Sequence, residues 1–385
     1  MGSRPAAIGT LAAMKRMLGA FAACALTVLV AVPVAVGRSA DRLPASFVGM
    51  NLDEGTIASS SLDHELRLMH ALGVGVVRFP VYWGQAQPVQ GAGPNFAATD
   101  RVVGAAARAG LRVMPCVVGA PIWARRYPEQ PFSPPASPEP YAAFVSALVS
   151  RYGPAGSFWA ARPGTPRSPV REWQVWNEEN GGYTWSDDQR TLQPPKRTHW
   201  VHPYFLLLRA TRNAVKRADP RAQIVLGGLV GESWNSLRSL YRLAPPAGPP
   251  FDVVALHPYT KLPANVQETV RLSRVVMQHY GDGRKPVVLT ELGWPSSVGH
   301  IRSAYGFETT EAGQASRLTR VFDLMAASRR VLRTESLFWY DWAEPDSGSF
   351  VFFYSGLRRR LSDGRLVAKP AFGAFRRVVR RLQRR

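Results

Sequence analysis

Two glutamates, Glu178 and Glu291, are the side chains best placed to do chemistry. Each closes a short apolar run, Trp173-Gln174-Val175-Trp176-Asn177-Glu178 and Pro286-Val287-Val288-Leu289-Thr290-Glu291. Such runs read as buried parallel strands, and the carboxyl ends of strands are where an α/β barrel keeps its reacting groups. A carboxylic acid paired with a carboxylate is the minimum equipment for breaking a glycosidic bond. The Trp and Asn side chains beside them suit a sugar ring, offering a flat face and polar groups for hydroxyls.

Other candidates sit at other strand ends. Arg78 lies in Val76-Val77-Arg78-Phe79. A charge there must be paired, and a nucleophilic carboxylate is a natural partner that the pair would keep ionised. Asn177 can hydrogen-bond a sugar 2-hydroxyl, where contacts strengthen in the transition state. His257-Pro258-Tyr259 closes a further strand. Trp339 closes the last and is the expected floor of a sugar site, with Tyr340 and Trp342 as alternatives because the strand phase is open. Trp83, Trp123, Trp185 and Trp294 fall in loops on the same face, as sugar platforms or as ordinary packing.

The elements that must position these residues alternate along the chain. Eight strand candidates begin near Phe47, Gly75, Arg112, Trp173, Ile224, Val253, Val287 and Leu337. Helical spacing marks Leu62 to Leu72, Asp100 to Ala109, Tyr141 to Tyr152, Tyr204 to Ala218, Val266 to Tyr280 and Ala312 to Ala327. Eight strand–helix units close into a (β/α)8 TIM barrel, an α/β fold, with one catalytic domain over 38–385. Tyr127 to Pro140 and Gly153 to Pro169 are Pro-rich loops. The loop Gly181 to Trp200 follows Glu178 and should rise above the catalytic face. Gly227-Gly228 reads as close packing, and Pro370 opens a final helix.

The chain starts differently. Lys15-Arg16 precede an uncharged run from Met17 to Val36, and Ala35-Val36-Gly37 supply small residues. This is the layout of an export signal, and the run is also about long enough, roughly 20 residues, to span a bilayer. Residues 1–37 are therefore a cleaved signal or a retained anchor, and either places the rest outside the cytoplasm. Of the two cysteines, Cys24 lies in this segment and Cys116 reads as a small buried hydrophobe.

The formal net charge is +21, of which residues 38 onward carry +18. Arg376, Arg377, Arg380, Arg381, Arg384 and Arg385 share a helix with Phe375, Val378, Val379 and Leu382 at helical spacing. This is a solvated face, or one drawn to lipid headgroups or acidic polysaccharide. High charge and arginine-rich cleft margins would favour an acidic glycan as partner. Nucleic acid fits poorly because no nucleic-acid motif occurs. The seven histidines form no His-Glu-x-x-His and no Cys/His cluster, so no catalytic metal is expected. No phosphate loop or dinucleotide fingerprint points to a cofactor, and no Gly-x-Ser-x-Gly elbow points to an esterase.

Over residues 46 to 383 the chain resembles the retaining (β/α)8-barrel glycoside hydrolases of clan A. In that superfamily the acid/base is the Glu of an Asn-Glu pair after the fourth strand, and the nucleophile a Glu after the seventh. Asn177-Glu178 and Glu291 stand at those places. The chain is most similar to the branch of β-xylosidases, α-iduronidases and exopolysaccharide endoglycosidases, family 39. Trp176-Asn177-Glu178-Glu179-Asn180 resembles that branch's Trp-Asn-Glu-Pro-Asn, with Glu179 replacing Pro, and Gly119-Ala120-Pro121-Ile122-Trp123 is also similar. The resemblance implies hydrolysis with retention: Glu291 attacks the anomeric carbon, and Glu178 protonates the leaving oxygen and then deprotonates water. It further implies that Tyr259 donates to Glu291 and that His257 lies in the cleft. A barrel that binds sugar without cutting it is the alternative.

Overall fold

The computed structural model describes residues 43–182, 184–186, 199–302 and 305–384. The amino-terminal segment with Cys24, most of the Gly181 to Trp200 loop, and Arg385 lie outside the described residues.

Uninterrupted apolar runs become the strands, because each is covered on both faces. Nine of them pair in parallel: β1 (Val48–Asn51), β2 (Val76–Tyr82), β3 (Arg112–Val118), β4 (Glu172–Val175), β5 (Gln223–Val225), β6 (Leu229–Val230), β7 (Val254–His257), β8 (Val287–Leu292) and β9 (Thr334–Trp339). Their order is β5-β4-β3-β2-β1-β9-β8-β7-β6. β5 and β6 are two pieces of one barrel strand, broken at Leu226-Gly227-Gly228. A bridge from Val225 to Val253 and the bond from Leu226 N to Val253 O close the ring there. The nine pieces thus fill eight barrel positions, and the seventh is β8. Its six residues are all buried.

Helices cover the outside, burying the stripes that the sequence spacing marks. Leu62–Ala71 buries Leu62, Leu66 and Met69, and Val201–Ala218 buries Tyr204, Leu207 and Leu208. Pro370–Gln383 buries Phe375, Val378, Val379 and Leu382 and leaves its arginines in water. Phe375 meets Phe322 edge-on at 5.9 Å, so this helix is docked on the barrel wall. Among the described residues no helix is long and apolar enough to cross a membrane.

Besides the short helices Glu54–Ala58, Trp83–Ala86 and Ser157–Ala160, two larger features have no counterpart in the sequence reading. Ser233–Tyr241 is a helix after β6. A small sheet of β10 (Ala343–Pro345), β11 (Arg358–Arg360) and β12 (Leu366–Ala368) follows β9. These strands are three residues long, and Arg358-Arg359-Arg360 has no alternating pattern to reveal it.

Candidate active site

Glu178 and Glu291 face each other over the mouth of the barrel. One carboxylate oxygen of each, together with a ring nitrogen of His257, lies within 4.8 Å of the others. Both glutamates are buried, at 5% and 8% exposure.

Glu291 is gripped from two sides. Arg78 Nη1 donates to its Oε1 at 2.8 Å, and the Tyr259 hydroxyl donates to its Oε2 at 2.9 Å. Burial, then the Glu291 charge, pushes the Tyr259 pKa well above its ordinary value, so the hydroxyl keeps its proton. Arg78 is itself fully engaged: Nε donates to Gln174 Oε1, Nη1 also to Asn51 Oδ1, and Nη2 to Asn177 Oδ1 and Cys116 Sγ. Burial disfavours the guanidinium charge, but Cys116, Glu291 and Glu178 around it more than compensate, and its pKa is raised. Cys116 is buried, yet it sits under the site and not in an anonymous core; burial first pushes its thiol up to about 11. Arg78→Met leaves Glu291 buried without its cation. A loss of about 3–5 kcal/mol is expected, read as a lower urea midpoint, and an unchanged midpoint would separate Glu291 from Arg78 energetically.

Glu178 is held by the backbone. Trp176 and Glu178 have φ of 67° and 49°, a left-handed conformation that costs roughly 1–2 kcal/mol for a residue with a Cβ. The surroundings impose it: Trp176 Nε1 donates to Thr184 O at 2.7 Å, and Glu178 N to Gly227 O at 2.9 Å. His257 Nδ1 lies 2.7 Å from Glu178 Oε1 and 3.6 Å from Glu291 Oε2, and its Nε2 lies 2.9 Å from Thr290 Oγ1. Burial holds the imidazole neutral, pushing its pKa down to about 3 against the pull of Glu291. His257 thus stands behind the glutamates with no exposure, not open in the cleft. The glycine pair in the broken strand makes room for both: a Cβ on Gly228 would lie 2.2 Å from His257 Nε2, and one on Gly227 2.0 Å from Glu179 Oε2.

Glu179 is a buried carboxyl beneath Glu178, 1% exposed. Neither of its oxygens has a hydrogen-bond partner among the described residues; the Tyr204 hydroxyl beside it already donates to Val175 O and accepts from Gly227 N. Burial, helped by the Glu178 charge, pushes its pKa up to about 8 from 4.5. Between those pH values the folded protein holds a proton that the unfolded chain has lost. Its contribution to stability therefore falls as pH rises between those values and levels off above them. Glu179→Gln, isosteric with the neutral acid, should match the wild type near pH 4.5 and melt higher at pH 8. Parallel melting curves at all pH values would contradict this.

Glu178, His257 and Glu291 also have the count of a metal site. Their donors do not fit one. Both Glu291 oxygens are taken by donors, and the Arg78 guanidinium at 2.8 Å repels a cation.

The cleft is a cavity of about 620 Å³ whose lining includes Arg78, Asn177, Glu291 and Tyr340. Trp339 and Trp342 do not line it. Both are fully buried, Trp339 against Trp294 at 6.3 Å and Trp342 with Nε1 on Glu65 Oε2 at 2.8 Å. The expected Trp339 floor is thus corrected to Tyr340, one of its two alternatives, because the side chains of Trp339 and Trp342 turn into the core and leave Tyr340 in the lining. Trp83, Trp185 and Trp294 are also buried, and Trp123 packs edge-on against Trp83 at 5.5 Å. The aromatic rings that do line the cavity besides Tyr340 are Tyr82, Phe132, Phe350, Phe352 and Phe353. Among the described residues the lining is not arginine-rich: it carries five carboxyl residues, Asp53, Glu54, Glu291, Asp341 and Glu344, against Arg78 and Arg360.

No family model and no curated protein matches the chain. Solved structures do. A family 39 glycoside hydrolase from Bacteroides cellulosilyticus WH2 superposes with a TM-score of 0.63 at 21% identity, over 88% of this chain and 64% of that one. A monomeric β-xylosidase from Caulobacter crescentus CB15 gives 0.61 at 17% identity, over 87% and 68%. An exo-β-1,4-mannosidase from Opitutaceae bacterium strain TAV5 gives 0.57 at 18% identity, over 89% and 61%. The chain thus spans about two-thirds of the length of these proteins. At such identities the likeness is one of fold, a (β/α)8 barrel that these glycoside hydrolases share.

Proposed function

We propose that the protein is a retaining glycoside hydrolase acting by double displacement. The observation that carries this is the separation of the two carboxylates. Retaining enzymes hold them about 5–5.5 Å apart and inverting ones about 6.5–9.5 Å, to admit a water; here the nearest pair lies within 4.8 Å. Arg78 and Tyr259 mark Glu291 as the ionised nucleophile. Glu178, bonded to a neutral imidazole, is the acid and then the base. His257 Nδ1–H donating to Oε1 leaves the other oxygen of Glu178 to carry the proton to the leaving oxygen and then to take one from water. Asn177 uses Oδ1 on Arg78, which leaves its amide N–H groups for the sugar 2-hydroxyl.

The export reading accompanies this proposal. We propose that residues 1–37 carry the barrel out of the cytoplasm and that the arginine face of the closing helix meets an anionic envelope surface. Recovery of the full-length chain only from cytosol would end that part.

The test is a glycan hydrolysis screen of residues 38–385, with the anomeric configuration of the first product read by NMR. Retention is expected. Inversion, or rates that survive both Glu178→Gln and Glu291→Gln, would refute the proposal.

A further inference from the structure

The cavity beside Glu291 is one-sided. Most of its lining comes from the ends of β1, β2 and β9 and the loops beyond, with Cys116, Val118 and Phe132 from β3 and its loop and Asn177 and Thr184 after β4; among the described residues none between 185 and 290 lines it. Under the reading above, Glu178 protonates the departing oxygen, so the leaving half of the substrate lies toward β4 and β5. The half that bonds to Glu291 then faces the β1, β2 and β9 side, which supplies most of the cavity lining. The cavity volume, about 620 Å³, falls in the range of roughly 300–1,000 Å³ that takes a drug-sized ligand, well beyond a single sugar ring.

The outer wall has the character of a ring platform. Phe350 and Phe353 are 47% and 44% exposed although they line a concave site. Half-exposed phenyl rings at such a rim mark a ligand surface. Their centroids lie 5.5 Å apart at 81°, so two faces of different orientation are presented. The same lining carries polar groups for hydroxyls. Arg360 donates to Thr56 Oγ1 at 2.9 Å, and Glu54 accepts from the Tyr82 hydroxyl at 2.8 Å. Beyond this last pair the surface opens into a second hollow of about 540 Å³, which shares Glu54, Pro80 and Tyr82 with the first.

We infer that the nucleophile side of the site takes two or more linked sugar rings, with Phe350 and Phe353 carrying an outer ring, so that the products are longer than a monosaccharide. This rests on the glycosidase reading and specifies its substrate as a chain.

An array of oligosaccharides of one to six residues, with matching 4-nitrophenyl glycosides, tests it. Products of two or more residues are expected, with kcat/KM rising with the length of the nucleophile-side half. The Phe350→Ala/Phe353→Ala double variant should lose about tenfold or more on multi-ring probes and a smaller factor on one-ring glycosides, so that the length dependence of kcat/KM collapses. Both rings are half exposed, so the fold tolerates their loss. Equal kcat/KM for one ring and several, in a protein that Glu291→Gln inactivates, overturns the inference and leaves the glycosidase reading standing. A preference for alkyl glycosides over sugar chains assigns the phenyl rings to an apolar group and also overturns it. Cleavage of no array member overturns both.

Discussion

Glu291→Gln should end turnover, lowering kcat by about 10,000-fold or more on any glycan the protein cuts. The amide has no anionic oxygen to bond to the anomeric carbon, so no glycosyl-enzyme forms. Geometry changes little. The amide oxygen can still accept from Arg78, and the Tyr259 hydroxyl can turn to accept from the new N–H. What is lost besides nucleophilicity is the buried ion pair, which costs stability. Near-UV circular dichroism separates the two effects: a folded, inactive variant is expected. A folded variant with a kcat within tenfold of wild type would remove Glu291 from the chemistry.

Much of this arrangement can be read before folding. Arg78 interrupts an apolar strand, and the rule that a buried charge must be paired points to Glu291, where the ion pair is found at 2.8 Å. The helix stripes and strand ends follow from periodicity, because the two faces of each element meet different surroundings. Gly227-Gly228 reads as close packing, and each glycine does sit where a Cβ would strike a site side chain. Other parts depend on ring closure, which a linear pattern does not encode. Asn51 Nδ2 donates to Thr290 O across 239 residues, and Gln174 Nε2 reaches Thr290 Oγ1 across 116. The side of a strand on which Trp339 points depends on a one-residue register, so Tyr340 takes its place in the lining. Total charge says nothing of its location: the arginines of Pro370–Gln383 face water, while among the charged residues described in the cleft lining five carboxyls stand against two arginines. Phe350, Phe352 and Phe353 are visible as phenylalanines in a loop, but only exposure distinguishes a platform from packing.

Glu178→Gln should behave differently from Glu291→Gln, and the difference assigns the two roles. General acid–base assistance is worth about 100- to 10,000-fold, and it acts on both steps. In the first step the loss depends on the leaving group. A phenol of low pKa departs without a proton, so a 4-nitrophenyl or 2,4-dinitrophenyl glycoside should keep a fast first step, seen as a burst of one phenolate per active site. An alcohol leaving group, as in a natural chain, cannot depart this way and should show the full loss. In the second step water needs a base, which the substituted amide cannot provide, so the glycosyl-enzyme accumulates after the burst. Azide is already anionic and needs no deprotonation. It should therefore restore turnover of the activated substrate by Glu178→Gln, giving the glycosyl azide of retained configuration, and do nothing for Glu291→Gln. The neutral His257, 2.7 Å from Glu178 in the wild type, can accept from the amide of the variant, so the position of the side chain is kept. Equal losses on phenyl and alkyl glycosides, or azide rescue of the Glu291 variant in place of the Glu178 one, would reverse or abolish the assignment.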